Sequence, residues 1–142
     1  MSRTLPTFQL IDHPADLGIE AQGESLSEAF EQAAVGLMSV ILDLSSVEPL
    51  MSKEVTLQGS GLEHLLVKWL SEVLYLYDGE KFVGRDFSIC ELRDDFLRAT
   101  VRGEQFVADK HNTRLDVKAV TYHQLLVEQT TGAGRVRVFL DI

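Results

Sequence analysis

Cysteine, proline and long apolar runs are scarce in this 142-residue sequence, which has one cysteine and three prolines. The lone Cys90 excludes an intramolecular disulfide and a multi-cysteine zinc cluster, and its apolar surroundings predict a buried packing role. No stretch approaches the roughly 20 apolar residues of a membrane-spanning helix. The first dozen residues also lack the basic start and apolar centre of a secretory signal. We therefore expect a soluble cytoplasmic protein without a membrane partner.

Basic residues are also few, since 13 lysines and arginines stand against 22 aspartates and glutamates for a net charge of -9. Phosphate backbones are bound by clustered Lys and Arg side chains, so this balance disfavours direct binding of the chain to a DNA or RNA backbone. An acidic surface instead suits a basic protein surface or a cation. The shares of 45% apolar and 25% charged residues are typical of a globular domain.

Familiar catalytic motifs are missing as well. The sequence has no nucleophile elbow, no phosphate-binding glycine loop and no dinucleotide fingerprint. Its four histidines show no spacing typical of zinc ligands. We therefore assign no catalytic residue from motifs.

Two amphipathic helices are predicted before residue 80, and each follows a serine-x-x-glutamate capping signature. Ser25 precedes an apolar stripe that runs to Leu42, and Ser60 precedes one that runs to Tyr77. Both stripes recur at three and four residues, which is the period of one helix face. Gly79 then ends the second helix.

The rest of the sequence alternates between apolar and polar residues, as half-buried strands do. Strands are predicted at residues 8–11, from 17 onward, around 55–57, on both sides of a turn at 93–95, at 115–120, at 125–127 and at 135–142. Because helices and strands are segregated along the chain, we predict an α+β fold of mostly antiparallel sheets with two principal helices packed against them. No linker or repeat stands out, so we expect a single domain over residues 1–142.

Asp12 and Asp16 lie on either side of Pro14. Proline removes a backbone donor and disfavours helical geometry at His13, so we expect a bend here. A bend can bring carboxylates together, and Asp carboxylates are ligands that calcium and magnesium prefer. Alternatively, the two acids cap local turns through backbone amides. These residues alone leave both interpretations open.

Lys118 and His123 are the first and last residues of a second segment of interest, residues 118–123, which mixes polar and apolar side chains. If a regular strand runs through it, Lys118 shares a face with Tyr122, and His123 lies on the other face. Lys118 then either reaches a phosphate or carboxylate or is a solvated charge that protects a sheet edge. The last predicted strand ends in Asp141 and Ile142, so an ordered strand holds an acid beside the terminal carboxylate.

One combination of segments is specific. It comprises D-H-P-A-D-L-G-I at residues 12–19, a helical segment at 27–34, Lys110-His111, a segment at 115–123 that ends in K-A-V-T-Y-H, and the terminal residues 139–142. With these segments the sequence resembles the archease family over nearly its whole length. Pro14 stands where that family commonly has threonine.

The resemblance implies a function that composition and spacing do not show. Archeases are accessory proteins of the RtcB-type RNA-splicing ligase, which joins RNA ends in tRNA splicing and RNA repair with GTP and divalent metal. They promote guanylylation of the ligase and its multiple turnover.

The resemblance also implies a site. A divalent metal ion, calcium in the family with magnesium or manganese as alternatives, is expected at Asp12, Asp141 and the backbone oxygen of Ile142. Asp16, Lys118 and His123 fall in family motifs and are expected to support this site or to contact the partner.

Two rival functions stay open. One is a small metal-dependent enzyme in which Asp12 or Asp16 is the general base and His123 the general acid. The other is an RNA or protein chaperone, although modules that bind RNA usually combine basic patches with stacking aromatic side chains.

Overall fold

The computed structural model describes residues 4–12 and 16–142, and its regular elements follow the predicted order closely. In chain order these are β1 (Thr7–Asp12), β2 (Asp16–Gly23), α1 (Leu26–Ile41), a 3-10 turn (Leu44–Ser46), β3 (Met51–Gln58), α2 (Leu62–Asp78), β4 (Phe82–Arg93), β5 (Phe96–Gln105), β6 (Ala119–Thr130) and β7 (Ala133–Asp141). The predicted bend through His13 and Pro14 lies outside the described residues.

The strands form two antiparallel sheets. One has the strand order β1-β2-β7-β6 and the other the order β3-β5-β4, and every neighbouring pair of strands is antiparallel. The last strand, β7, is an interior strand with β2 on one side and β6 on the other. The predicted α+β fold of antiparallel sheets and two packed helices is therefore confirmed.

Both helices pack their apolar stripes against the sheets. α1 contacts β2 and β7 of the four-stranded sheet and β4 of the other sheet, while α2 contacts β6 and β4. The indole N–H of the fully buried Trp69 in α2 donates to the carbonyl of Phe30 in α1 at 3.0 Å, so this large core side chain carries no unsatisfied donor. Neither helix of the described chain is long and apolar enough to cross a membrane. The extent of the domain, residues 1–142, stays a prediction.

The two helices start differently although their sequence signatures match. Ser25 caps α1, since its hydroxyl accepts the N–H of Glu28 at 3.2 Å. α2 instead begins after Gly61, which has a φ of +104° and provides no side-chain cap. The predicted cap at Ser60 is wrong because this serine lies one residue too early, and its hydroxyl is 3.2 Å from Nδ1 of His64 instead.

The strand predicted at residues 115–120 starts later than expected, and it continues through the predicted segment 125–127 as β6. Residues 106–118 form only an isolated bridge to Leu42, and β6 starts at Ala119. The backbone N–H groups of Arg114 and Leu115 donate at 2.7 and 3.1 Å to carbonyls in the last turn of α1. Carbonyls at a helix C-terminus lack partners within the helix. Because these carbonyls accept from Arg114 and Leu115, the segment before β6 is held against α1 and does not join a sheet.

Cys90 is exposed, so its predicted burial is wrong. β4 is an edge strand, and its register with β5 shifts between Ile89 and Glu91. Cys90 is therefore the extra residue of a β-bulge, where the alternation of buried and exposed positions breaks down.

Candidate functional site

Two of the predicted acids face each other across neighbouring strands. Asp16 is the first residue of β2, Asp141 is the last residue of β7, and the register makes them Cα partners. Directly opposed residues project to the same face of a sheet, with Cβ atoms about 4.5–5.5 Å apart. Asp141 is exposed and Asp16 is half-buried. Like charges at this spacing repel each other, and a bound cation would remove the repulsion.

Asp12 ends β1 at the same end of the sheet. Its backbone pairs with Leu17, which is in turn opposite Leu140. Asp12 therefore lies one register position from the Asp16–Asp141 pair. We call these three aspartates the acidic end of the four-stranded sheet. The predicted ligand role of the Asp12 side chain lies outside what the structure describes.

Lys118 and Ile142 border the acidic end. The backbone N–H of Lys118 donates to the carbonyl of Asp141 at 2.8 Å, which ties the start of β6 to the end of β7. The Lys118 side chain is exposed, and 39% of Ile142 is exposed. The prediction that Lys118 lies within a regular strand is wrong, because β6 starts one residue later, at Ala119. A backbone hydrogen bond rather than strand alternation brings Lys118 to the acidic end.

The carboxylate and carbonyl oxygens at the acidic end are the type of ligand that a hard cation such as calcium or magnesium takes. Among the side chains that the structure describes, no group of three or more His, Cys, Asp or Glu residues is arranged to hold a metal ion. The carboxylates of Asp16 and Asp141 are thus at most part of a cation site. Further ligands would have to come from Asp12 or from backbone oxygens.

Phe139 projects from the same sheet face as Asp16 and Asp141, and its ring forms an aromatic pair with the ring of His123 beside the acidic end. Gly18 and Phe139 are Cα partners, each two residues from one of these acids. A Cβ atom at Gly18 would lie 2.9 Å from the Phe139 ring, so the missing side chain lets this ring lie over β2. The His123 ring meets the Phe139 ring at a steep angle, with 5.7 Å between the centroids.

β6 carries a long bulge next to the His123–Phe139 ring pair. Thr121 is the Cα partner of Phe139 and Leu126 is the partner of Arg137, so residues 122–125 lie opposite Val138 alone. We call residues 122–125 the β6 bulge. The predicted regular alternation through Lys118 and His123 therefore fails beyond Thr121.

Hydrogen bonds define the shape of the β6 bulge. Oγ1 of Thr121 donates to the carbonyl of Phe139 at 3.0 Å and accepts the N–H of His123 at 3.2 Å. Nε of Arg137 donates to the carbonyl of Gln124 at 3.1 Å. Gln124 itself has a φ of +50°, a left-handed conformation that is uncommon for residues other than glycine. Side chains and carbonyls of β6 and β7 therefore hold the bulge at both of its ends.

Sequence reasoning missed an ionic cluster around Glu20 on the same strands. Its carboxylate accepts a hydrogen bond from Gln9 at 2.8 Å and lies 3.3 and 3.6 Å from Arg135 and Arg137. Burial raises the pKa of Glu20, but the hydrogen bonds from Gln9 and Arg135 and the charges of both arginines outweigh burial and lower the pKa. The available signal was the alternation of the two arginines in the last strand, which predicts a shared face.

A second missed cluster surrounds the buried Glu104. Its carboxylate accepts hydrogen bonds at 2.9 Å from the backbone N–H of Glu48, from Nε2 of His111 and from Nζ of Lys110. Nδ1 of His111 accepts the N–H of Val107 at 2.9 Å, so we assign the ring proton to Nε2. These donors, with the Glu48 N–H foremost, lower the pKa of Glu104 to about 2.

Comparison with known proteins identifies one family. The model described as "Archease protein family (MTH1598/TM1083)" matches residues 8–142. The protein archease of Sulfolobus acidocaldarius is 39% identical over 136 residues, which cover 95% of this chain and 98% of that protein. The protein archease of Methanosarcina mazei is 37% identical over 139 residues and is covered to 95%, as is this chain.

Two solved structures share the fold. The solution structure of Methanobacterium thermoautotrophicum protein 1598 matches with a TM-score of 0.80 and 34% identity, over 95% of this chain and 98% of that chain. A crystal structure from Thermotoga maritima, described as "an archease, possible chaperone", matches with a TM-score of 0.64 over 93% of this chain and 94% of that chain. At 20% identity, the second likeness supports the fold alone.

Proposed function

This chain belongs to the archease family, and we propose that it is a non-catalytic accessory protein of an RtcB-type RNA-splicing ligase in tRNA splicing and RNA repair. It promotes guanylylation of the ligase and allows multiple turnover. The observation that carries this proposal is the meeting of Asp16, Asp141 and the backbone of Lys118 at one end of the sheet, where β1 also ends in Asp12. Acids for a cation and a lysine for a phosphate suit a partner that uses GTP and divalent metal.

In this proposal, Asp12, Asp141 and the backbone oxygen of Ile142 hold a divalent cation, with calcium first and magnesium or manganese as alternatives. These are the oxygen donors that hard cations take. When bound, the cation supplies a positive charge that offsets the repulsion among the carboxylates and attracts phosphate. Asp16 supports the site by adding negative charge opposite Asp141.

Lys118 and His123 have supporting roles in the same proposal. The exposed side chain of Lys118 meets a phosphate of the ligase complex, while its backbone N–H positions the Asp141 carbonyl. His123 contacts Phe139, which precedes Asp141 by two residues on the same face. His123 therefore borders the site without being one of its proposed ligands.

Guanylylation of a purified ligase with GTP, with and without this protein, tests the proposal across calcium, magnesium and manganese. We expect Asp141→Ala to abolish the stimulation because the cation loses a ligand. We expect Lys118→Met to reduce it at least ten-fold while calcium binding persists, because methionine keeps much of the apolar stem without the charge. Asp94→Ala, in the exposed β4–β5 turn, is the matched acidic control and should stimulate like the wild-type protein. Full stimulation by Asp141→Ala would show that the metal-bearing site is not needed.

The same reconstitution separates the rival functions. Product formed without ligase would support a metal-dependent enzyme that uses Asp12 or Asp16 and His123 in acid–base chemistry. Salt-sensitive binding of RNA without ligase would support an RNA chaperone. Stimulation that requires the ligase supports the accessory role.

A further inference from the structure

The β6 bulge presents a large aromatic side chain beside the acidic end. Tyr122 is the first residue of the bulge and is 58% exposed. It follows Ala119, the Cα partner of Asp141, by three residues. At about 3.3 Å per residue along a strand, the Cα atoms of Ala119 and Tyr122 are roughly 10 Å apart. A partner surface that contacts Tyr122 and extends along β6 to Ala119 would reach the acidic end.

The bulge is a defined shape rather than a loose connection. Four residues of the edge strand β6 lie opposite one residue of β7, which interrupts the ladder of backbone hydrogen bonds between these strands. Gln124 also adopts a left-handed conformation that is uncommon for residues other than glycine. Three hydrogen bonds from Thr121, His123 and Arg137 nevertheless fix it. Bulges often re-aim side chains next to functional sites, and the Tyr122 side chain within this bulge is exposed.

We propose that Tyr122 anchors the partner protein, with the β6 bulge as the docking element and Arg137 as its positioning residue. The proposal rests on the accessory function proposed above and adds the surface through which the ligase is bound. Tyrosine is enriched among the residues that dominate binding energy, because it buries a large ring and keeps a polar hydroxyl. The adjoining acids and the net charge of -9 select a partner surface that carries Lys or Arg side chains around an apolar pocket for this ring.

An alternative explanation is that the bulge only protects the exposed edge of β6 against pairing with other strands. That explanation requires the irregular backbone but not the tyrosine ring. Substitution of Tyr122 therefore separates the two, because it removes the ring and leaves the hydrogen bonds of Thr121 and Arg137 in place.

Titration of wild-type and variant proteins into the ligase tests the anchor, with guanylylation and direct binding as the two measurements. We expect Tyr122→Ala to raise the concentration for half-maximal stimulation at least ten-fold without lowering the maximum. Tyr75→Ala removes a tyrosine of similar exposure, 53%, from α2 and should stay within two-fold of wild type. An unchanged titration for Tyr122→Ala would overturn the anchor while leaving the accessory function intact.

A second pair of variants tests the positioning role. Arg135 and Arg137 both lie beside the Glu20 carboxylate, but only Arg137 donates to the carbonyl of Gln124 in the bulge. Arg137→Met therefore removes a hydrogen bond of the bulge, and Arg135→Met is its matched control. We expect faster amide exchange at residues 122–125 and a several-fold weaker affinity only for Arg137→Met. Equal effects of the two variants would refute the positioning role.

Failure of the two proposals is distinguishable. If the wild-type protein neither binds nor stimulates the ligase, the accessory function is wrong and the docking element falls with it. If Tyr122→Ala instead weakens binding of a single-stranded RNA without changing ligase binding, the ring stacks on a base and the protein-docking proposal is overturned.

Discussion

Glu104 is a buried acid that keeps its charge because three donors converge on it. Only 11% of its side chain is exposed, and the donors come from Glu48, Lys110 and His111. The residues involved are spread from position 48 to position 111, so no local pattern in the sequence predicts their meeting. The segment that leads from β5 to Lys118 is anchored at this point.

We predict that Glu104 makes stability depend on pH in the acid range. Its pKa is lowered from 4.5 to about 2 in the folded protein, so its contribution is fully present above pH 4.5 and is lost as the pH falls toward 2. Glu104→Gln should lower the free energy of unfolding by about 1–3 kcal/mol at pH 7, and its difference from wild type should shrink below pH 4.5. Urea unfolding at several pH values measures this. Glu48→Gln, an exposed acid near the same lysine, is the control, and parallel wild-type and Glu104→Gln curves would contradict the prediction.

At the residue scale, the sequence predicted which residues carry functional groups better than it predicted which of them lie close together. The alternation of the last strand predicted an ordered Asp141, yet only the family resemblance paired it with Asp12. The opposition of Asp16 and Asp141 follows from the β2–β7 register. That register depends on strands from the two ends of the chain, and periodicity within either strand does not reveal it.

Elements with a continuous apolar stripe were the easiest to predict. α1 and α2 each carry buried side chains at three- and four-residue intervals, and their predicted extents agree with Leu26–Ile41 and Leu62–Asp78. Their starts depend on backbone geometry as well as residue type. Ser25 has the extended conformation that a cap requires, whereas the position before α2 belongs to Gly61.

This difference predicts unequal effects of two serine substitutions. Ser25→Ala should lower the free energy of unfolding by about 1 kcal/mol because the N–H of Glu28 loses its acceptor. Ser60→Ala should change it by less than about 0.5 kcal/mol, since Ser60 does not cap α2 and its contact with His64 is exposed. Chemical denaturation of the two variants compares them directly. Equal losses would mean that both serines cap their helices.

Strand irregularities escaped prediction for a shared physical reason. The extra residue at Cys90 and the β6 bulge both occur in edge strands, where one side of the backbone has no neighbouring strand. The β6 bulge also depends on hydrogen bonds from Thr121 to Phe139 and from Arg137 to Gln124. Such cross-strand bonds override the simple alternation from which a strand is inferred.

At the scale of the whole molecule, the four-stranded sheet joins the two ends of the chain. β1 and β2 come from the first residues, β7 comes from the last, and their neighbouring ends carry the three acids. Segregation of helices and strands predicted this α+β class correctly. The strand order itself was beyond the sequence, because hydrophobic alternation specifies a buried face but not a neighbour.

The last prediction concerns the end of the chain. Deletion of Asp141 and Ile142 should abolish calcium binding because two of the three proposed ligands are removed. It should cost only about 1–2 kcal/mol of stability, since the buried Val138 and Leu140 remain in β7. The losses are the hydrogen bond from Lys118 and the pairing of the exposed Asp141 with Asp16 and Ala119 at the end of the sheet. Calcium calorimetry and urea unfolding measure the two effects separately. Asp141→Asn keeps the backbone and should lose most of the calcium affinity with almost no loss of stability, so wild-type affinity in both variants would show that the cation is held elsewhere.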